Sequence, residues 1–168
     1  NDDTVAWYEN DCATLAPTEA PSASFKPTTS PAPTTAAPTP RPTVFCTSVA
    51  FSERIITTLA VNAYSVFAID VDGDGDVDAL SASYTDDTVA WYEDDGSQSF
   101  TERIITTLAD GAMSVFPVDI DGDGDVDGLS ASSLDDTVAW YENDGTQSFT
   151  ERIVTTLADY AQSVFAID

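Results

Sequence analysis

The stretch DVDGDGDVD, Asp70 to Asp78, decides how this chain is read, and it returns as DIDGDGDVD from Asp119 to Asp127. Aspartates stand at positions 1, 3, 5 and 9 of the nine: Asp70, Asp72, Asp74 and Asp78 in the first copy, Asp119, Asp121, Asp123 and Asp127 in the second. This spacing predicts four carboxylates converging on one point. Like charges ~4 Å apart repel by ~4 kcal/mol per pair at an effective dielectric of about 20, so the convergence calls for a hard cation. Calcium suits it, because it accepts many oxygens in flexible geometry where magnesium demands a tight octahedron. Gly75 and Gly124, at position 6, permit the sharp turn. The position 7 carbonyls, of Asp76 and Asp125, are expected to face the ion.

The residues after position 9 separate this loop from others that open the same way. An EF-hand needs a bidentate Glu at position 12, and a dockerin-type loop needs an acidic residue there, but the chain has Ser81 and Ser130. The glycine-rich nonapeptide of calcium-binding β-helices is absent as well. Strand-like runs flank each loop, SVFAID and SVFPVD before it, VDALSAS and VDGLSAS after it. The loop therefore joins two strands.

A repeat organises the rest. DDTVAWYE begins at Asp2, Asp86 and Asp135, ERI(I/V)TTLA at Glu53, Glu102 and Glu151, and SVFxxD at Ser65, Ser114 and Ser163. The later copies are 49 residues apart, whereas the first DDTVAWYE precedes the second by 84. A long insertion, Cys12 to Cys46, accounts for the excess and occupies one hairpin turn. Each period holds four predicted strands: 64–70, nearly all apolar and so expected to be buried on both faces; 77–83; 88–93, alternating Val89 and Trp91 against Ala90 and Tyr92; and 99–107 after a turn that favours a hairpin. Four short strands per period of about 50 residues is the pattern of a four-stranded antiparallel β-propeller blade.

The expected fold is thus all-β, a piece of a larger propeller. Residues 1–61 supply strands 3 and 4 of one blade around the insertion 12–46; 62–109 and 111–158 are complete blades; 159–168 is the first strand of a further one. Trp7, Trp91 and Trp140 share one repeat position and are expected to pack between blades. Arg54, Arg103 and Arg152 share another and are expected to pair with repeat carboxylates or lie on aromatic rings. The DxDGDGDxD loops between strands, at this spacing, resemble the FG-GAP and VCBS-type calcium-binding repeats of integrin-α-like β-propellers. The resemblance implies loop ligands at Asp70, Asp72, Asp74 and Asp78 and at Asp119, Asp121, Asp123 and Asp127. It also implies an extracellular role in adhesion, ligand binding or scaffolding, sometimes beside polysaccharide-active enzymes.

Composition narrows the partners. Thirty acidic against five basic residues, with no histidine, give a net charge of −25, which argues against nucleic acid and anionic membrane. No apolar run is long enough to span a membrane. Between Pro17 and Thr43 lie eight of the nine prolines and seven threonines, a segment expected to be extended and, lacking an Asn-x-Ser/Thr sequon, O-glycosylated. Cys12 and Cys46 bracket it, and a disulfide between them is expected to clip its base, contributing about 3–4 kcal/mol in an oxidising compartment. Catalysis finds no support, because the chain has no histidine, no nucleophile elbow and no phosphate loop. The expected protein is a secreted or cell-surface calcium-binding scaffold, adhesive or part of a surface filament, that packs against further blades of its own chain or neighbouring subunits. A lectin-like glycan-binding propeller is the alternative, and the non-catalytic part of a polysaccharide-active enzyme a second.

Overall fold

The structure, a computed structural model, describes residues 3–12 and 49–167. The expected disulfide and the Pro/Thr-rich insertion lie outside them. Ten strands run through the described residues, with no helix: β1 (Val5–Cys12), β2 (Val49–Thr57), β3 (Ala63–Ile69), β4 (Asp78–Ser83), β5 (Thr88–Asp94), β6 (Phe100–Thr106), β7 (Ala112–Val118), β8 (Asp127–Ser132), β9 (Thr137–Asn143) and β10 (Phe149–Thr155). The ends of β3 to β6 fall within one residue of the predicted strands. β1 and β2 pair, and β3-β4-β5-β6 and β7-β8-β9-β10 are two antiparallel meanders with the same register. These four-stranded sheets are propeller-type blades. Compact units divide at Trp7/Tyr8 and Ser52/Glu53, so the ends of β1 and β2 next to the insertion belong to a separate small unit.

The alternation on β5 sorts its side chains into two cores. Val89 and Trp91 join Leu80, Ala82, Ala112, Val115 and Tyr141 in the cluster between the two meanders, while Ala90 and Tyr92 pack with Ala79, Ile56 and Phe100 on the other face. Trp91 is buried between sheets, as expected of a repeated aromatic. Trp7, at the equivalent position, lines a cleft of about 290 Å³ with Ile56, Ala68 and Phe100. Buried serines thread this apolar interior. The Ser81 and Ser130 hydroxyls share hydrogen bonds of 3.3 and 3.2 Å with the hydroxyls of Tyr92 and Tyr141, which answers a buried polar group with a partner.

Burial pushes the Tyr141 hydroxyl up to about 12, against the ordinary 10. The unfolded chain therefore loses this proton first, so the associated stability is complete below pH 10 and disappears as pH rises towards 12. Chemical unfolding followed across that window is expected to show a loss of roughly 2–3 kcal/mol. Tyr141→Phe, which cannot ionise, should flatten most of it.

DDTVAWYE, whose leading aspartates had no assigned task, turns out to hold the link between consecutive repeats. Asp87 in the β4–β5 turn accepts a hydrogen bond from Gly111 N–H at 2.9 Å through Oδ1, and its carbonyl accepts one from Ala109 N–H at 3.0 Å. Asp136 does the same for Tyr160 and Ala158, and Asp3 takes Asn62 N–H at 3.1 Å. Asn62, Gly111 and Tyr160 all sit at positive φ, near +60°, a conformation that the latch helps to hold. Asp87→Ala should cost about 1.5–3 kcal/mol in urea unfolding, the value of a hydrogen bond to a charged acceptor, and Asp87→Asn distinctly less.

One expectation about burial changes. β3 was expected to be buried on both faces, yet Tyr64, Val66 and Phe67 are 55%, 57% and 38% exposed. Its counterpart β7 is covered, with Val115 at 3%, because β7 packs against β3 and β4 whereas β3 meets no equivalent pair of strands among the described residues. The predicted first strand of a further blade, 159–168, forms no strand over 161–167. A strand is defined by its ladder, and no partner strand lies beside this segment among the described residues.

Candidate metal centres

Each loop is built from its own carboxylates. Asp70 accepts hydrogen bonds from Gly73 N–H (2.8 Å) and Gly75 N–H (3.1 Å), Asp72 from Asp74 N–H (3.2 Å), and Asp74 from Asp76 N–H (2.9 Å). These short-range turns are the local preference of aspartate, and Gly73 and Gly75, at φ +76° and +100°, supply the backbone they require. The second loop repeats every one of them with Asp119, Asp121 and Asp123, at distances equal to within 0.1 Å.

Asp78 closes the loop from inside. It is 1% exposed, and its two oxygens accept Val71 N–H at 2.9 Å and Asp94 N–H at 2.8 Å, tying the loop to the end of β5. Asp127 does the same with Ile120 N–H and Asn143 N–H. Oxygens of Asp70, Asp72 and Asp78 lie within 4.8 Å of one another, as do those of Asp119, Asp121 and Asp127. Three of the four expected carboxylates of each loop thus lie together, and Asp74 and Asp123 stand outside these groups. Each accepts a hydrogen bond from the N–H two residues on.

Asp76 and Asp125 act through their side chains. Their side chains press on the β5–β6 and β9–β10 turns, where a Cβ on Gly96 or Gly145 would come within 2.6 Å of a carboxylate oxygen. Glycine is favoured at those two turn positions, where φ is +76° and +75°. The two sites differ at the end of the following hairpin strand: Asn143 donates through Nδ2 to the Val126 carbonyl at 3.2 Å, whereas Asp94, its counterpart, has no such donor.

Electrostatics at the sites is one-sided. Burial, with Asp74, Glu93 and Asp70 adding repulsion against the Asp74 N–H bond, holds the Asp72 carboxyl above the usual carboxylate range. Asp121 is raised too, by burial first and then by repulsion from Asp123, Asp127 and Glu142 against the Asp123 N–H bond. Asp78 is raised by burial, opposed by its two backbone N–H donors. The nearest repeat arginines are occupied elsewhere, Arg103 with Glu93 at 2.6 Å and Arg152 with Glu142 at 2.5 Å, exposed pairs of the kind that contribute at most about 1 kcal/mol. A set of clustered anionic oxygens, held by backbone N–H groups, has the chemistry of a hard divalent cation site.

Residues 70–130, which span both loops and the strands between them, match the FG-GAP-like repeat family. No curated protein and no solved structure matches the chain.

Proposed function

We propose that this FG-GAP-type repeat segment is an extracellular scaffold whose blades are braced by calcium. One observation carries the reading: two copies of the loop bring three carboxylate oxygens within 4.8 Å, one of the three carboxylates being buried and locked to the next hairpin. An ion held by Asp70, Asp72 and Asp78, or by Asp119, Asp121 and Asp127, would supply the positive charge that these oxygens lack. Each blade would then depend on the metal for the rigidity of its first connection, because metal binding couples to folding. Affinities near 10⁻⁴ to 10⁻³ M are sufficient outside a cell. The Pro/Thr-rich composition of the insertion, with its bracketing cysteines, fits the same compartment and suits O-glycosylation.

The matched repeat type is non-catalytic, and among the described residues no helix is long and apolar enough to cross a membrane. Partners are therefore sought in protein: further blades or neighbouring subunits. Glycan binding, the other class of function, draws on one feature, the ring pair Tyr64–Tyr84 with centroids 5.3 Å apart and Tyr64 55% exposed. Equilibrium dialysis of the protein with calcium, counting bound metal, tests the main reading. About one ion per loop is expected, and no binding at millimolar calcium would leave the loops as solvated turns.

A further inference from the structure

The connection between the two complete meanders presents a leucine to solvent on a fixed backbone. Leu108 donates its N–H to Thr106 Oγ at 3.2 Å, its carbonyl accepts Asp110 N–H at 3.1 Å, and the next residue, Ala109, is tied to the Asp87 carbonyl at 3.0 Å. The side chain is nonetheless 73% exposed. The flanking connections repeat the device, Leu59 on Thr57 at 3.0 Å and Leu157 on Thr155 at 3.1 Å, and both leucines are exposed.

At the Leu108 connection a second leucine stands beside the first. Leu134, in the β8–β9 turn, donates its N–H to the Asp110 carbonyl at 3.1 Å, and Ser133 binds the Gly111 carbonyl through both its N–H (3.0 Å) and its hydroxyl (3.1 Å). The Leu134 side chain lies over Gly111, where a Cβ would come within 2.7 Å of its Cγ, and is 55% exposed. The equivalent turn of the first meander carries Tyr84 and Thr85, so the preceding junction lacks the second leucine. Further blades on either side would leave the pair open. Leu108 already lies between two complete blades, and Thr85, at the Leu134 position, is exposed with a whole blade beside it.

Charge around the pair has one sign. The turns and connections at this end of the blades, 58–62, 84–87, 107–111, 133–136 and 156–160, hold six aspartates and no lysine or arginine. Asp110, whose N–H and carbonyl bond the two leucines, is exposed, while the arginines of β6 and β10 are taken by Glu93 and Glu142. We infer that this junction docks a protein partner through a cationic, apolar segment, in which an apolar side chain covers Leu108 and Leu134 and a lysine or arginine meets Asp110. Charge complementarity selects that occupant. A net charge of −25 repels a second copy of the chain and any anionic surface, and draws in a cation, while the leucines supply the contact that charge alone does not. The hydrogen-bonded backbone keeps the ordering cost of docking low. The inference rests on the reading of this segment as a scaffold that engages protein, and not on its metal, since the acidic loops stand at the opposite end of the blades.

Fluorescence anisotropy of two labelled probes on the intact chain tests it: a peptide alternating lysine with leucine, and one of equal length and charge alternating lysine with serine. The leucine peptide is expected to bind at least about tenfold more tightly, the value of burying one leucine side chain. Leu108→Ser and Leu134→Ser together should bring it down to the level of the serine peptide and leave the latter unchanged. Circular dichroism should not change, because both residues lie outside the two cores. Leu108→Ser alone carries the test if Leu134→Ser disturbs the turn. Asp110→Asn should weaken both peptides about twofold to fivefold, whereas Asp95→Asn, in the turn at the opposite end, should weaken neither. Equal affinity for the two peptides, or leucine variants that bind as the parent does, would overturn the inference. So would leucine-dependent sedimentation with phosphatidylcholine vesicles, which would make the pair a membrane contact. Calcium binding without discrimination between the peptides sinks the docking alone, and discrimination by a chain that binds no calcium sinks the brace alone.

Discussion

Asp78→Ala is expected to unfold much of the first complete blade's stability even with calcium chelated. The substitution removes the acceptor of two backbone N–H groups, Val71 and Asp94, that Asp78 holds at 2.9 and 2.8 Å in a site 1% exposed. A buried N–H left without a partner costs about 1–3 kcal/mol, and the Asp94 N–H, part-buried, costs less than the Val71 N–H, so the sum is roughly 2–4 kcal/mol. That is a large part of the 5–15 kcal/mol that holds a typical domain together. Asp78→Asn should lose less, since its one carbonyl oxygen still accepts. Asp70→Ala removes an acceptor of N–H groups in an exposed loop, where water replaces it, and should cost little in chelator. Urea midpoints of the three variants decide this. Equal losses for Asp70→Ala and Asp78→Ala in chelator would show that Asp78 has no structural task of its own.

Calcium should raise the melting temperature, and its removal should lower it by a comparable amount. At a free concentration 100 times the dissociation constant each site adds about 2.7 kcal/mol, so two loops together add roughly 5 kcal/mol. Magnesium should do much less, because it surrenders its waters reluctantly and demands near-ideal octahedral geometry. Asp72→Asn and Asp121→Asn, at a half-exposed and an exposed position of the loops, should each remove about half of the gain while leaving the melting temperature in chelator almost unchanged. A melting temperature that ignores calcium would refute the brace, whatever the loops look like.

The connection between these two results explains the design of the loop. Asp78 and Asp127 are fixed by the fold before any ion arrives, since their partners are backbone groups of β5 and β9. Asp70, Asp72, Asp119 and Asp121 are arranged by local turns and are exposed or half-exposed. An ion would therefore bridge a rigid buried carboxylate and two adjustable ones, and couple the loop to the hairpin behind it. The blades' outer strands carry little of this, because their exposed Arg–Glu pairs contribute only weakly.

Much of this protein was determined by its sequence alone. The period of 49 residues, the alternation on β5 and the Asp-Gly spacing of the loops set strand positions to within a residue, because turn chemistry and pleat periodicity act over a few neighbours. The three-residue acidic groups were legible for the same reason. What only the tertiary structure decided concerns contacts between repeats. The latch of Asp87 on Gly111, the pressure of Asp76 on Gly96, the Ser65–Val115 bond and the contrast between exposed β3 and buried β7 each join residues that are distant in the chain. Identical SVF segments meet different surroundings, and burial is a property of those surroundings and not of the segment itself.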